Sequence, residues 1–151
     1  MLSILGLDAS SVMIGWCVYE GAPVDHGEIA LRGDDIADRC RQAHAALQLI
    51  LANHPAIDCI AIESPVGQYI KSVIPQARVS GALMAVAALK GLHVVEVAPS
   101  AAKRALAGSG TAPKLTMRQQ AALAGVLGEH AADALGVALA AVGRVVVEEA
   151  A

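Results

Sequence analysis

The sequence predicts an α/β fold in which a mixed five-stranded sheet carries helices on both faces. Three observations predict it: three strand-like segments joined by short turns, then an amphipathic helix leading into a fourth apolar run, then apolar helical stretches around one further strand. Short connections favour antiparallel neighbours, whereas a helical crossover favours a parallel pair. We expect one domain over residues 1–151, because this length suits a single hydrophobic core.

The first three strands are expected over residues 2–7, 13–21 and 24–31, with the third at the sheet edge. A small, polar linker separates the first two, and a turn at residues 21–23 follows the second. Connections this short indicate an antiparallel meander.

A helix is expected to begin after Gly33 and to stop near Pro55, with one apolar stripe facing the core. The fourth strand, residues 58–63, follows at once. Because the helix crosses over the sheet, this strand is expected to lie parallel to the first strand and beside it.

The second half is expected to contain a loop over residues 64–75 and a fifth strand over 93–99. Ser100 is expected to cap a short helix, and residues 108–114 form a basic, glycine-containing loop. The expected helices cover residues 76–91, 101–108, 115–128 and 129–149.

The composition is 56% hydrophobic and only 17% charged, against roughly a quarter charged in an ordinary domain. We expect closely packed helices and a buried subunit interface. No uninterrupted apolar run reaches about 18 residues, so no membrane span is predicted. The N-terminus shows no secretory signal. Cys17, Cys40 and Cys59 are odd in number and widely spaced, which argues against a disulfide framework or a zinc site. They predict three buried, reduced thiols in a cytoplasmic protein.

The net charge of −3 is unevenly distributed. Residues 1–63 carry nine acids against three Lys or Arg, whereas residues 71–118 carry seven Lys or Arg against one acid. A local basic excess of this kind favours binding of a polyanion on one face.

Two apolar strands each end in an acid, Asp8 in the first and Glu63 in the fourth. If these strands are parallel neighbours, both carboxylates lie at the carboxyl edge of the sheet, where α/β folds bind ligands. Two buried carboxylates repel each other, and a divalent cation such as Mg²⁺ or Mn²⁺ removes that penalty. The alternative is that each acid caps its strand or pairs with a lysine.

His130 and Asp133 are three residues apart and share one face near the start of the last helix. Together with the two strand acids they are able to complete a two-metal site that hydrolyses phosphodiesters. The alternatives are a surface histidine and a first-turn acid that interacts with the helix dipole.

These residues lie in segments that resemble the RuvC family of crossover junction endonucleases, in the RNase H-like (retroviral integrase-like) superfamily. The resemblance spans nearly the whole chain, and a phage-type or divergent member is compatible with it. The matching segments read ILGLDASSVMIGWCVYEG, IAIES, PQARVSGALMAVAALKGLHVVEVAPSAAKRALAGSG and HAADALGVALA.

The resemblance implies an RNase H-like fold and a metal-dependent nuclease that acts as a homodimer on four-way DNA junctions. It implies a catalytic tetrad of Asp8, Glu63, His130 and Asp133, with Asp8 bridging two Mg²⁺ or Mn²⁺ ions, Glu63 and Asp133 binding one each, and His130 binding metal or orienting water. We assign the apolar helix over residues 77–89 to the subunit interface on composition.

Lys103 matches a family lysine beside the active site, and we expect it to contact phosphates. The alternative is a solvated basic helix face. Further DNA-binding candidates are Arg104, Lys114, Lys71, Arg78 and Tyr69.

The family carries an aromatic wedge shortly after the catalytic glutamate, but here the third residue after it is Val66, and Tyr69 is the aromatic in this loop. Other branched DNA and RNA-containing duplexes are therefore alternative substrates. An actin-like ATP-binding domain and a non-catalytic DNA-binding domain are the alternatives of other classes.

Overall fold

The computed structural model of the chain describes residues 1–149 and the side chains of residues 1–145. Ten elements follow one another in the predicted order. They are β1 (Ile4–Ala9), β2 (Met13–Tyr19), β3 (Pro23–Ala30), α1 (Ile36–Asn53), β4 (Cys59–Glu63), α2 (Ile70–Leu89), β5 (His93–Val97), α3 (Pro99–Ala107), α4 (Lys114–Leu123) and α5 (Glu129–Glu149).

The five strands form one mixed sheet with the order β3-β2-β1-β4-β5. β2 pairs antiparallel with both β1 and β3, whereas β4 pairs parallel with both β1 and β5. The predicted meander, the edge position of β3 and the parallel placement of β4 beside β1 are therefore confirmed.

Helices cover both faces of the sheet, as predicted. On one face, large aliphatic side chains of β1 and β4 pack against α1 and α2. On the other face, α5 lies across the sheet with α3 and α4 beside it. Burial of apolar surface on both sides stabilises the three layers.

The boundaries of α2 and α4 differ from the sequence prediction. The loop predicted over residues 64–75 is too long, because α2 already begins at Ile70 and contains Pro75. This proline is the sixth residue of the helix, where its missing N–H removes one intrahelical hydrogen bond. α4 ends at Leu123 rather than at residue 128, since Gly125 adopts a left-handed φ of 82°.

The prediction that Ser100 caps a helix is wrong. Ala98 occupies the N-cap position of α3 without a side-chain hydrogen bond, and Pro99 is the first helical residue. A proline fits this position because its fixed φ suits the helix and its absent N–H would have no partner there.

Among the described residues, α2 is long and apolar enough to cross a membrane, although length and composition are weak evidence, because core helices share them. Only 28% of its most apolar window is buried inside the chain. Cys17 and Cys59 are buried, as predicted, while Cys40 is half-buried. Burial raises the pKa of the Cys17 thiol to about 12.

Candidate active site

Asp8 and Glu63 meet because of the parallel register of β1 and β4. Leu7 pairs with Ile62, so the next residue on each strand is one of the two acids. Both lie on the face covered by α5, since their positions alternate with those of the aliphatic side chains on the opposite face. The predicted pair of strand acids at the carboxyl edge is therefore present.

Two glycines in the sheet let α5 lie directly on the strands beside these acids. A Cβ atom on Gly15 would stand 2.1 Å from the carbonyl oxygen of His130, and one on Gly6 would stand 2.2 Å from that of Ala134. No larger residue fits at either position without moving the helix. Gly15 is also the cross-strand partner of Asp8, which brings His130 next to Asp8.

The side chains of the predicted tetrad surround one cavity of about 300 Å³. In its wall, the Nδ1 atom of His130 lies 3.1 Å from the Oδ2 atom of Asp8. The cavity is lined by Asp8, Ser10, Glu63, Pro99, Ala102, Lys103, Lys114, Met117, His130 and Asp133. The structure thus brings all four tetrad residues together with two of the predicted phosphate-binding lysines.

The pKa values of Glu63 and Asp133 in this cavity are raised. Burial, and then the charges of Asp8 and Asp133, hold the pKa of Glu63 well above its usual range, although Lys103 opposes the shift. Burial and the charge of Asp8 raise the pKa of Asp133 to about 6. The cavity therefore holds more negative charge than its own lysines compensate.

Negative charges near the cavity favour the protonated, charged form of His130. Its hydrogen bond with Asp8 raises the pKa of the imidazole, as do the nearby charges of Glu28 and Glu129. Burial opposes this shift. The hydrogen bond between Nδ1 and Asp8 fixes the orientation of the ring and leaves Nε2 as the nitrogen available to a ligand in the cavity.

Among the side chains of residues 1–145, no three His, Cys, Asp or Glu form a preformed metal-binding cluster. The tetrad residues share a cavity rather than a preformed cluster.

Lys103 and Lys114 reach the cavity from α3 and from the start of α4. α3 lies close to α5, because Gly136 leaves room for the carbonyl oxygen of Ala102. Lys114 is paired with the carboxylate of Glu129, and this hydrogen bond raises the pKa of the lysine. Both amines are placed to contact a phosphate near the tetrad.

The other four predicted DNA-binding residues do not line the cavity. The guanidinium of Arg104 stands against Gly110 in the loop after α3. Lys71 and Arg78 are exposed on α2, and Tyr69, just before that helix, is 76% exposed. Their assignment to DNA binding remains a prediction about a surface outside the cavity.

Several residues around the site were not among the predicted site residues. The hydroxyl of Ser10 lines the cavity and accepts hydrogen bonds from the backbone N–H groups of Val12 and Met13, which holds the turn after β1. Glu129 pairs with Lys114, and Glu28 bonds the first turn of α5. The polar linker was a local signal for Ser10, but the long-range contacts of Glu28 have none in the sequence.

A larger cavity of about 610 Å³ lies between β3 and α1. Its walls include Trp16, Leu49 and His54, and it contains none of the predicted site residues. Its lining includes the carboxylates of Asp25 and Glu28 but no lysine, so we assign the chemistry to the smaller cavity, which holds three carboxylates and two lysines.

Comparisons with known proteins agree with this arrangement. The profile of the family described as crossover junction endodeoxyribonuclease RuvC matches residues 4–141. Similar proteins include crossover junction endodeoxyribonucleases RuvC from Erythrobacter litoralis, 34% identical over 93% of this chain and 92% of that protein, and from Sphingopyxis alaskensis, 35% identical over 90% and 94%. A structure of Thermus thermophilus RuvC in complex with Holliday junction substrate superposes with a TM-score of 0.82 over 98% of this chain and 97% of the other.

At 20% identity, the Thermus structure shows a shared fold, which confirms the predicted RNase H-like architecture. The family profile covers the segments in which the resemblance was recognised, from β1 to α5. The chain belongs to the RuvC family of crossover junction endodeoxyribonucleases.

Proposed function

We propose that this chain is a structure-selective endonuclease that resolves four-way DNA junctions by metal-dependent phosphodiester hydrolysis. One observation carries the proposal: the tetrad of Asp8, Glu63, His130 and Asp133 lines a single cavity together with two lysines. The names of the similar proteins describe crossover junction endodeoxyribonucleases, and the Thermus relative was solved with a Holliday junction substrate.

The donor set of the cavity fits Mg²⁺ or Mn²⁺, and we propose two ions per site. Three carboxylates supply the hard oxygen ligands that these cations prefer. Burial and then the neighbouring carboxylates raise the pKa values of Glu63 and Asp133, and a bound cation would favour the charged form of both groups. When bound, two such ions would lower the pKa of an attacking water and stabilise the leaving oxygen.

The side chains of the chain itself would have distinct roles. Asp8 lies between the other members, because it shares a sheet edge with Glu63 and a hydrogen bond with His130. His130 would orient the attacking water or bind metal with its free nitrogen. Lys103 and Lys114 would hold the scissile or flanking phosphate, which makes binding strongly salt-dependent.

We also propose that the active form is a homodimer, with one active site for each of two opposing strands. The outer face of α2 is exposed and built largely from small residues, so a second helix is able to approach it closely. Ala77, Gly81 and Ala85 follow one another at helical spacing on this face, and Leu89 at its end is 85% exposed. An apolar face of this kind is typical of subunit interfaces.

The direct test of the cleavage proposal is the Asp8→Asn variant incubated with four-way junctions and Mg²⁺. The amide preserves the size of the side chain but removes the charge required to hold a cation. We expect the variant to bind junctions as the wild type does and to lose at least about 100-fold in cleavage rate. Undiminished cutting would exclude Asp8 from the catalytic centre.

A matched control is Asp25→Asn, which neutralises another partly exposed carboxylate of the sheet. Asp25 bonds the imidazole of His54 and lines the larger cavity, away from the tetrad. We expect this variant to cut junctions at the wild-type rate. A similar loss in both variants would indicate a general effect of charge rather than the loss of a metal ligand.

A second candidate function, cleavage of other branched DNA or of RNA-containing duplexes, is favoured by the loop after β4. Val66 stands where the family resemblance places an aromatic wedge and is 60% exposed, while Tyr69 and Ile70 are 76% and 72% exposed. Junction, flap, linear and RNA-containing duplexes of equal sequence should therefore be compared at one salt concentration. Equal rates on flaps and junctions would favour the broader activity.

A further inference from the structure

We propose that Glu28 is a positioning residue for the catalytic face of α5, which it caps from the edge strand β3. This inference rests on the proposed nuclease function. Glu28 does not line the cavity that contains the tetrad, so it acts through the residues that it holds rather than on the substrate. The contacts involved join positions more than 100 residues apart in the chain.

The N-cap position of α5 is occupied by a residue that has no side chain. The carbonyl oxygen of Gly128 accepts the first intrahelical hydrogen bond, from the N–H of Ala132, at 3.0 Å. A helix normally relies on the N-cap side chain to accept bonds from the second and third helical N–H groups. A glycine leaves both groups without that local acceptor.

The carboxylate of Glu28 supplies the missing acceptor. Its Oε1 atom accepts hydrogen bonds from the backbone N–H of His130 at 2.8 Å and of Ala131 at 3.4 Å. These are the second and third residues of the helix, the same donors that a serine or aspartate cap would satisfy. A negative charge at this end also interacts favourably with the helix dipole.

The backbone at the helix start is shaped to admit this carboxylate. Gly128 has a φ of 105°, which disfavours other residues, and a Cβ atom there would stand 2.6 Å from Oε1 of Glu28. One residue earlier, the N–H of Leu127 donates to Nε2 of His26 at 3.2 Å. His26 and Glu28, two residues apart on β3, therefore accept hydrogen bonds from three backbone N–H groups at the start of α5.

The strand register explains why this cap bears on catalysis. Gly15 pairs with Asp8 on one side and with Glu28 on the other, so the three residues form one row across the sheet. The backbone of His130 lies over the glycine in the middle of this row. Asp8 bonds the ring of His130 while Glu28 bonds its backbone, so the residue is held from both sides.

Loss of the cap should therefore affect the chemical step more than substrate binding. His130 lies in the first turn of α5 and Asp133 begins the second, where a missing cap permits the helix to fray. A displacement of about 1 Å in a catalytic group is able to reduce the rate about 100-fold. Lys103 on α3 is remote from this cap, whereas Lys114 on α4 pairs with Glu129 in the first turn of α5. Phosphate binding should therefore be affected less than the chemical step, through Lys114 alone.

The test compares Glu28→Ala, which removes the acceptor, with Glu28→Gln, which retains an oxygen in the same place. Asp25→Ala is the matched control, since it removes an exposed acid from the same strand on the opposite side of the sheet. Three quantities are measured for each variant: hydrogen exchange of the His130 and Ala131 amides, single-turnover cleavage of a four-way junction with Mg²⁺, and the Kd for the junction.

We expect Glu28→Ala to accelerate exchange at both amides and to slow cleavage by about tenfold, with a change of less than about threefold in the Kd. Glu28→Gln should restore both exchange and cleavage to within about twofold of the wild type, and Asp25→Ala should match the wild type throughout. This combination would support positioning, because general destabilisation would not be rescued by one oxygen atom.

Unchanged amide exchange in Glu28→Ala would overturn the cap, whatever the activity. Faster exchange with unchanged cleavage would overturn the positioning role. If the wild type fails to cut any branched DNA, the proposed nuclease function fails. The exchange measurement would still decide whether Glu28 caps α5.

Discussion

The two faces of the sheet are packed in different ways. On the face covered by α1 and α2, β1 and β4 present Leu5, Leu7, Ile60 and Ile62, all at most 1% exposed. On the face covered by α5, the same strands present smaller residues at intervening positions, and the α5 backbone rests almost on that of the sheet at Gly6. One interface is made by long side chains and the other by close approach of backbone.

The two faces therefore have different roles: the first mainly stabilises the fold, and the second mainly fixes the position of α5. Aliphatic side chains are able to shift between rotamers and so absorb part of a substitution. Backbone atoms in close contact have no such freedom, so their interface leaves α5 little room to shift. The tetrad lies entirely on the second face, where two of its members belong to the helix and two to the strands.

The strongest way to break this arrangement is Gly15→Ala. The added Cβ would meet the carbonyl oxygen and carbonyl carbon of His130 at 2.1 and 2.2 Å, and neither atom is able to rotate away. We expect cleavage to fall by at least about 100-fold and the free energy of unfolding to fall by about 1–3 kcal/mol. Single-turnover kinetics and urea titration measure the two effects.

The matched control for that substitution is Gly143→Ala in α5, where a Cβ atom would meet nothing within 4 Å. An alanine in an exposed helical position should stabilise the protein by about 0.5–1 kcal/mol and leave cleavage unchanged. If Gly15→Ala behaved like this control, close backbone packing would not be what positions the tetrad.

A smaller effect on the same face is expected from pH in the absence of divalent cations. The folded protein holds the pKa values of Glu63 and Asp133 above those of the unfolded chain, at about 8 and about 6, so it binds more protons than the unfolded chain between about pH 4 and pH 8. Its stability should therefore be greatest near pH 4–5 and decline as pH rises through the two raised pKa values. Differential scanning calorimetry in EDTA would show a Tm that falls over this range.

The variant Glu63→Gln and added Mg²⁺ sharpen that measurement. The amide does not titrate, so the fall of Tm with pH should become shallower. Mg²⁺ should raise Tm more at pH 8 than at pH 5, because binding requires deprotonated carboxylates. A Tm that rises with pH in EDTA, or an equal Mg²⁺ effect at both pH values, would contradict the charge repulsion inferred for the cavity.

The two halves of the tetrad were also unequally predictable from the sequence. An apolar strand that ends in an acid is a local pattern, and a helical crossover between two such strands is enough to place Asp8 beside Glu63. The spacing of His130 and Asp133 indicated a shared helix face, but periodicity alone does not say where that helix lies. The residue types suggested that the two halves complete one two-metal site, and the family resemblance assigned them to one tetrad, but neither gave the position of the helix.

The contacts that seat α5 explain why its position lay beyond sequence reasoning. Gly6 and Gly15 look like ordinary weak points in a strand, and only the helix above them shows that they make room for backbone. Glu28 looks like a solvent-facing residue of an edge strand until the register brings it to the N-terminus of α5. Local patterns likewise misplaced the start of α2 and assigned a cap to Ser100, since they do not report which end of a helix is supported by its surroundings.

The smallest effect on cleavage is expected from the opposite face, in Leu47→Ala. This side chain is 1% exposed in the core between the sheet and α1, so its truncation should lower the free energy of unfolding by about 2–5 kcal/mol. Leu49→Ala, two residues away and 64% exposed, is the control and should cost far less. Because both side chains belong to α1, on the opposite face of the sheet from α5, we expect the folded fraction of both variants to cut junctions within about twofold of the wild-type rate. A large loss of cleavage in folded Leu47→Ala would mean that the two faces are mechanically coupled, and that the close packing under α5 alone does not hold the tetrad.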